Sequence, residues 1–142
     1  MAKSTRKSSR GKASSRPKFC KRYSRIEDMP IINRYAAGID LSGDISHFVA
    51  LEIGDELEVR EFGGMTPELA ELVDYVVDHG VTTVAMESTG VYWMPVYDML
   101  ELAGIEVYLV NASHVKNVPG RNKDDKLDSR WLYKLHKYGL LS

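Results

Sequence analysis

The first half of the chain alternates short apolar runs with turns that contain glycine and aspartate. Three runs of strand length follow one another at residues 35–42, 45–53 and 57–62. The residues between them, Ser42-Gly43-Asp44 and Gly54-Asp55, are typical of tight turns. Links this short join neighbouring antiparallel strands, so the pattern predicts a three-stranded meander.

A helix is predicted directly after the meander. Thr66 is a residue type that suits an N-cap, Pro67 suits the first helical position, and Glu68 places an acid in the first turn. Gly80 is its expected end. The apolar residues predicted to face the core have helical spacing, and they are Leu69, Leu72, Val73, Val76 and Val77.

Strands and helices alternate in the second half of the chain. The apolar runs at 81–86 and 105–110 are predicted strands, and helices are predicted at 95–102 and 125–138. The order β-β-β-α-β-α-β-α predicts an α/β domain whose mixed five-stranded sheet has helices on both faces, because crossovers between parallel strands are right-handed. This is the order of the ribonuclease H-like fold. A flavodoxin-like sheet alternates from its first strand and fits the opening meander poorly.

The net charge of −1 conceals a basic and an acidic part of the chain. Ten of the 19 Lys and Arg residues lie at positions 1–25, where no acid occurs, so all 20 Asp and Glu residues share the rest with nine basic ones. Residues 1 to about 30 also have few large apolar residues, which predicts a disordered tail before a domain at 31–142. Unpaired Lys and Arg release counterions from phosphates, so we expect this tail to bind nucleic acid; the alternative is a solvated tail that only aids solubility.

Length and composition exclude several classes of protein. The 142 residues suffice for one domain with a core. No apolar run approaches the roughly 20 residues that span a bilayer, and the first 25 residues lack the apolar stretch of a signal peptide. Cys20 is the only cysteine, which excludes an internal disulfide and fits a reducing compartment. We therefore expect a cytoplasmic protein with no membrane association.

Four carboxylates fall where α/β sheets place their active sites. Asp40 lies near the end of the first strand and Glu87 follows the run at 81–86, so both are predicted at the carboxyl ends of adjacent parallel strands. Asp125 and Asp128 are three residues apart and share one face of the last helix. If that face packs over the strand ends, four anions converge, and their oxygen ligands suit Mg²⁺ or Mn²⁺ better than Zn²⁺. Two such ions can activate a nucleophile and stabilise the leaving oxygen in phosphodiester chemistry.

Each carboxylate also has a purely structural interpretation. Asp40 could be a turn residue at a strand end, and Glu87 could begin a plain loop. Asp125 could cap the last helix, and Asp128 could interact with the helix dipole. The four together, in this order, favour a metal site.

Other polar and aromatic residues are weaker candidates. The histidines lack the spacing of metal ligands and suit the surface or packing. The hydroxyl residues after Glu87 suit capping better than phosphate contact, and the two aromatic residues suit core packing better than base stacking. The basic residues could either balance the last acids or bind phosphate. These weaker candidates are His47, His79, His114, His136, Ser88, Thr89, Tyr92, Trp93, Lys116, Arg121, Lys123 and Lys126.

Several segments carry a family resemblance. The chain resembles the insertion-sequence one-ten family of transposases in GIDLS at 38–42, MESTGVYWMPVYDMLE at 86–101, VNASHVKNVPGR at 110–121 and DKLDSRWLYKLHKYGLL at 125–141. These are DEDD transposases with a RuvC-like amino-terminal domain. The resemblance covers residues from about 35 to 142, and its most specific parts are ESTGVYW and the segment from VKNVPGR to the last two acids.

The resemblance implies a ribonuclease H-like fold that holds Mg²⁺ through Asp40, Glu87 and the pair Asp125 and Asp128. The chain has one residue more than the family pattern before this pair, so Asp124 is the alternative to Asp125; counting backwards from the tryptophan of the last helix selects Asp125. The resemblance also implies recombination of DNA, guided by a bridge RNA, in a homo-oligomer with sites shared between subunits. Such a protein is expected at the nucleoid.

Members of this family continue into a helical second domain that supplies a nucleophilic serine, whereas this sequence ends at Ser142. We therefore expect a metal-binding transposase domain that is incomplete without that second domain. One rival hypothesis is a self-sufficient RuvC-like nuclease that uses metal-activated water. Another is a non-catalytic relic that binds nucleic acid through its basic tail.

Overall fold

The computed structural model describes residues 25–42, 45–87, 91–110 and 125–141, without the side chains of Ser42 and residues 125–128. Its order of strands and helices is the predicted one, preceded by a short 3₁₀ helix at Ile26–Asp28. The strands are β1 (Ala36–Ser42), β2 (Ser46–Ile53), β3 (Glu56–Phe62), β4 (Thr83–Glu87) and β5 (Glu106–Val110). The helices are α1 (Thr66–Asp78), α2 (Trp93–Leu102) and α3 (Asp125–Lys137).

One five-stranded sheet has the order β3-β2-β1-β4-β5. β1, β2 and β3 pair antiparallel, which confirms the predicted meander. β4 pairs parallel with β1, and β5 pairs parallel with β4, through the crossover helices α1 and α2. The mixed sheet of the ribonuclease H-like topology is therefore confirmed, with β1 and β4 as neighbours.

Helices cover both faces of the sheet, as predicted. Alternate residues of β1 point to opposite faces. Ile39 and Leu41 join the large apolar cluster that α1 and α2 complete. Ala36 lies on the other face, where it packs against Tyr133 of α3. Asp40 is four residues after Ala36, so its side chain lies on the same face, which is covered by α3.

α3 packs directly on β1 at Gly38. A Cβ atom at this position would collide with the carbonyl oxygen of Ser129 and the amide nitrogen of Tyr133. It would also lie 3.0 Å from the carbonyl carbon of Leu132. Since all three are backbone atoms of α3, only glycine allows the helix to approach the strand this closely.

α3 runs opposite to β1 and β4. Near its end, the His136 ring is joined to Thr83 Oγ1, at the start of β4, by a 2.8 Å hydrogen bond. Asn33 Nδ2, which precedes β1, donates to the His136 carbonyl oxygen at 2.7 Å. Ser129, two turns earlier, lies at Gly38 in the middle of β1. The first turn of α3 therefore lies towards the carboxyl ends of β1 and β4.

Two details of the predicted helices are wrong. Met65, not Thr66, is the N-cap of α1, so Pro67 is its second residue. The amide of Met65 donates to Glu68 Oε1 at 2.9 Å, which satisfies this helix end without a threonine cap. Val77 was expected in the core but is 45% exposed, because the apolar face of α1 turns towards Tyr75, which packs against the core cluster instead.

The ends of the other helices agree closely with the pattern. α2 begins at Trp93, two residues before the predicted start at residue 95. The glycines that follow α1 and α3, Gly80 and Gly139, have φ angles of 74° and 70°, which glycine adopts at no steric cost. None of the described helices combines the length and the apolarity that crossing a membrane requires.

Two residues that the sequence assigns to the tail, Ile26 and Met29, pack against α3 and the residues that follow it. Met29 is 4% exposed and contacts Tyr138. Ile26 packs against the buried cluster that contains Leu132 and Leu135 of α3. The packed part of the chain therefore begins before residue 31, while residues 1–24 lie outside the described part.

The free energy of unfolding is expected to fall below neutral pH because of His136. This side chain is 2% exposed, and its ring lies 4.8 Å from that of Tyr108. Burial lowers the pKa of His136, although the charge of Glu106 opposes this shift. The unfolded chain thus takes up the proton first. The stability contributed by neutral His136 is fully present above about pH 6.5, the ordinary value for His, and is lost as the pH falls.

Urea denaturation at several pH values between about 7.5 and 5.5 measures this effect. One proton limits the slope to about 1.4 kcal/mol per pH unit. His136→Gln should flatten the profile, whereas His79→Gln, at an exposed position, should leave it as in the wild type. An unchanged slope in His136→Gln would contradict the assignment.

Candidate functional site

Asp40 and Glu87 occupy the same level of adjacent parallel strands. The last paired residues of β1 and β4 are Ile39 and Met86, and one further step along both strands reaches Asp40 and Glu87. Side chains at one level of parallel strands lie on one face, about 4.8 Å apart in backbone spacing. Here that face is the one covered by α3. The structure thus brings together the two strand carboxylates that the sequence predicts.

Both carboxylates are buried, with 4% exposure for Asp40 and 7% for Glu87. Burial of two neighbouring carboxyl groups is costly unless hydrogen bonds or a cation replace the water that they lose. A hard divalent cation offsets this cost better than a hydrogen bond, since it carries two positive charges and prefers oxygen ligands. The donor set therefore fits Mg²⁺ or Mn²⁺, which is the chemistry of ion that the carboxylate pattern predicts.

Asp125 and Asp128 lie on the first turn of α3. The structure describes the backbone of this turn but not the side chains, and Asp124 lies outside the described residues. Among the side chains that are described, no three His, Cys, Asp or Glu residues form a group that could hold a metal ion. The described part of the site is thus the strand pair, with the helix turn directed towards it.

Glu61 is a further carboxylate on the α3 face, close to the level of Asp40, and it was not among the predicted site residues. Phe48 of β2 pairs with Asp40 on one side and with Glu61 of β3 on the other. Glu61 accepts a 2.7 Å hydrogen bond from the Ser46 hydroxyl. It is two strands away from Asp40, about 10 Å, which is too far to share an ion but adds negative charge to this edge. The sequence contains a signal for this position. Alternate residues of a strand share a face, so Glu61 lies on the same face as Leu57 and Val59.

Among the weaker candidates that are described, His47, His136 and Trp93 are packed in the interior, whereas His79 and Tyr92 are exposed. His47 and His136 are each 2% exposed, and His79 hydrogen-bonds the Tyr75 carbonyl at 2.7 Å. Trp93 packs against the core cluster and meets Tyr97 edge to face at 5.7 Å between centroids. Tyr92 is 44% exposed. The other weaker candidates lie outside the described residues or side chains, and they are Ser88, Thr89, His114, Lys116, Arg121, Lys123 and Lys126.

Comparison with solved structures supports the fold. RuvC of T. thermophilus, in complex with a Holliday junction substrate, aligns with a TM-score of 0.52 over 75% of this chain and 97% of that one, at 12% sequence identity. This similarity extends over almost the whole of RuvC and shows a shared fold. No curated protein sequence matches the chain.

The family is shown by a match over most of the chain. Residues 37–140 match the family model of DEDD transposases of the insertion sequence IS110 type, which is described as a transposase. The matched segment begins in β1, one residue before Gly38, and ends after α3, so it contains both strand carboxylates and the helix that covers them. The chain therefore belongs to the DEDD transposases of the insertion-sequence one-ten family.

Proposed function

We propose that this transposase domain holds two divalent cations, Mg²⁺ or Mn²⁺, through Asp40, Glu87, Asp125 and Asp128. The observation that carries the proposal is the pair of buried strand carboxylates at one level of β1 and β4, on the face covered by α3. Neither a strand end nor a loop start requires two carboxylates to be buried side by side. A metal ion bound by both side chains would explain why both are buried.

We propose Asp125 as the third ligand because it begins α3 and lies three residues before Asp128. Asp125 begins α3 and shares a helix face with Ser129, four residues on, which is fully buried against β1. Asp128 is likewise four residues before Leu132, which is also fully buried. Asp124 lies outside the described residues and stays the alternative to Asp125.

The bound ions would activate the attacking group and stabilise the leaving oxygen at a DNA phosphate. The protein's own residues position that site. β1 and β4 fix the strand pair through their parallel register, and Gly38 lets α3 lie close enough for its first turn to reach the same edge. Burial beneath α3 excludes water from the carboxylates and strengthens their attraction for a cation.

Membership of the family supports a proposal for the substrate and the partners. We propose that the domain acts on DNA, with a bridge RNA as guide, in a homo-oligomer of the complete transposase at the nucleoid. A second, helical domain would supply the serine nucleophile. The ten basic residues at positions 1–25 are the densest positive charge of the chain and suit phosphate binding.

Calorimetric titration with Mn²⁺ tests the metal assignment. The wild-type chain should bind with measurable heat, and the double variant Asp40→Asn with Glu87→Gln should lose that heat, because both strand ligands lose their charge. Asp98→Asn, at an exposed position on α2, is the matched control and should bind like the wild type. Equal binding in the wild type and the double variant would contradict the proposed metal site. Specific cutting of branched DNA by this chain alone with Mn²⁺ would instead favour the self-sufficient nuclease.

Two neighbouring aromatic residues are expected to have opposite roles. Trp93→Ala should lower the free energy of unfolding by about 2 to 3 kcal/mol, because the ring packs against the core cluster. Tyr92→Ala should change stability by less than about 0.5 kcal/mol, since this side chain is 44% exposed. If Tyr92 stacks on a base, its loss weakens DNA binding roughly tenfold. Thermal denaturation and fluorescence anisotropy with labelled DNA separate the effects. Tyr35→Ala is the control for binding, because Tyr35 directly precedes β1 and lies at the end of the strands away from Glu87.

A further inference from the structure

β5 forms one edge of the sheet, and its outer side pairs with no other strand in the described part of the chain. The amide of Glu106 donates to the Thr82 carbonyl at 3.0 Å, so the main chain of Glu106 faces β4. In a parallel pair, every second residue faces the neighbouring strand in this way. The N–H and C=O groups of Val107 and Leu109 therefore point outwards, where another strand can pair with them.

The side chains of this edge strand are apolar on both faces of the sheet. Tyr108 is 44% exposed on the α3 face, where its ring lies beside that of His136. Leu109 is 37% exposed on the opposite face, the face on which Val107 packs against the core cluster. Glu106 is the only charged residue of β5. The strand thus presents apolar surface beside its unpaired main chain.

The other edge of the sheet, β3, has a different character. It carries four charged residues, all of them exposed, and they are Glu56, Glu58, Arg60 and Glu61. Charged side chains on an edge strand oppose pairing with another chain. Since β5 lacks this protection, it is the edge that suits an added strand, and its side chains call for an apolar partner.

A second copy of β5 fits this edge in antiparallel orientation. With a twofold axis at Tyr108, Val107 of each copy lies opposite Leu109 of the other. The outward main-chain groups of these residues then face each other, so the two strands exchange four hydrogen bonds. Glu106 lies opposite Val110, so no two like charges meet. An axis at any other residue would leave part of this five-residue strand unpaired.

The same register brings apolar side chains together on both faces. Tyr108 lies opposite Tyr108 of the second copy at a non-hydrogen-bonded position, where Cβ atoms are about 4.5–5.5 Å apart. On the other face, Val107 and Leu109 meet twice. Cross-strand pairs of aromatic and aliphatic side chains stabilise a sheet. The edge of β5 is therefore complementary to itself.

We propose that the outer edge of β5 pairs with the same edge of a second copy of this chain, which joins two five-stranded sheets into one sheet of ten strands. The inference rests on the proposed function only for the homo-oligomer to which this surface belongs. It names the surface and its register, and its tests need neither metal nor DNA. Failure of the pairing is therefore distinguishable from failure of the metal assignment.

The pairing also fixes where the two candidate metal centres lie. A twofold axis perpendicular to the sheet keeps both α3 helices on one face. Glu87 is level with Val110, which is two residues from the axis at Tyr108. The spacing and rise of the strands then place the two Glu87 residues about 20 Å apart. Both centres would thus face the same side of the joined sheet, from which one DNA assembly can reach them.

Disulfide formation by Tyr108→Cys tests the register. In a Cys20→Ser background the new cysteine is the only one, because Cys20 is the only cysteine of the chain. Residues opposite each other at a non-hydrogen-bonded position lie within the distance that a disulfide spans. Mild oxidation should therefore link most of the full-length chain into dimers. Glu106→Cys in the same background is the matched control on the same strand. Two such residues lie about 14 Å apart in this register, which is too far for a disulfide.

Sedimentation equilibrium measures the pairing without an added cysteine. The wild-type chain should show a monomer–dimer equilibrium. Leu109→Lys should raise its dissociation constant about tenfold, because a charged side chain replaces the apolar partner of Val107 twice in each dimer. Val77→Lys makes a similar change at a 45% exposed position on α1 and should dimerise like the wild type. Thermal denaturation of each variant shows that it is folded, so a loss of dimer is not mistaken for unfolding.

Three results would overturn the inference. A wild-type chain that stays monomeric up to about 1 mM would show that this edge does not hold a second copy and would leave it to a different partner. Dimerisation that Leu109→Lys does not weaken would place the contact on another surface. Equal linking of Tyr108→Cys and Glu106→Cys would exclude the register. None of these results would alter the binding of Mn²⁺ by the monomer, which tests the proposed centre separately.

Discussion

A Gly38→Ala substitution is expected to unfold the domain or to displace α3 from the sheet. The added methyl group meets three backbone atoms of α3, from Ser129, Leu132 and Tyr133, and backbone cannot move aside as a side chain can. The helix must retreat, and the contacts that it loses include the fully buried Leu132 and Leu135. We expect a loss of about 3 kcal/mol or more, a large part of the stability of a domain of this size.

The same substitution should abolish metal binding without altering any proposed ligand. α3 carries Asp125 and Asp128, so a displaced helix removes them from the edge that holds Asp40 and Glu87. Urea denaturation measures the stability, and calorimetry with Mn²⁺ measures the binding. Gly54→Ala is the control: its φ of 66° strains any other residue, but a Cβ there meets no atom within 4 Å. It should cost only about 1 to 2 kcal/mol and leave Mn²⁺ binding intact. Equal losses in the two variants would contradict the close approach of α3 as the cause.

Glu87→Gln is expected to change stability in opposite directions with and without metal. In EDTA the substitution removes one of two neighbouring buried charges, so the free energy of unfolding should rise by an amount on the order of 1 kcal/mol. With Mn²⁺ at a hundred times its dissociation constant, the wild type should gain about 2.7 kcal/mol and the variant almost nothing. The two melting curves should therefore exchange their order when Mn²⁺ replaces EDTA.

A carboxylate on the same face provides the matched control for this crossover. Glu61 lies two strands from Asp40 and is not a proposed ligand. Glu61→Gln should retain the full stabilisation by Mn²⁺, whatever its effect in EDTA. If Glu87→Gln gained as much from Mn²⁺ as the wild type, Glu87 would not be a ligand and the proposed centre would be wrong.

The sequence predicted the charge of the amino-terminal segment but not the packing of its end. The absence of acids at positions 1–25 is visible at once, and it predicts phosphate binding. The same composition predicts a tail up to about residue 30, but Ile26 and Met29 are the apolar residues that fasten its end to α3. Two apolar residues in a polar segment cannot order it locally, and they pack only because a distant helix offers a partner surface.

The candidate site was likewise predicted only in part from the sequence. Asp40 and Glu87 were predicted at strand ends because each follows a local apolar run, and local runs are what a sequence displays directly. Their common level depends on the register between β1 and β4, which are separated in the chain by two strands and a helix. The apolar face of α1 is a similar case. From the sequence alone, either Val77 or Tyr75 could complete this face. Packing against the sheet shows that Tyr75 does so.

The sequence by itself determined the order of the elements, the antiparallel meander and the carboxylates at the strand ends, because hydrophobic periodicity and turn residues act over a few neighbouring positions. Only the tertiary structure decided that Asp40 and Glu87 share one level beneath α3, that Gly38 sets the distance of this helix, and that Ile26 and Met29 pack against α3 and the residues after it. These features depend on contacts between residues far apart in the chain. Their energies depend on packing throughout the domain, and a local sequence pattern does not contain this information.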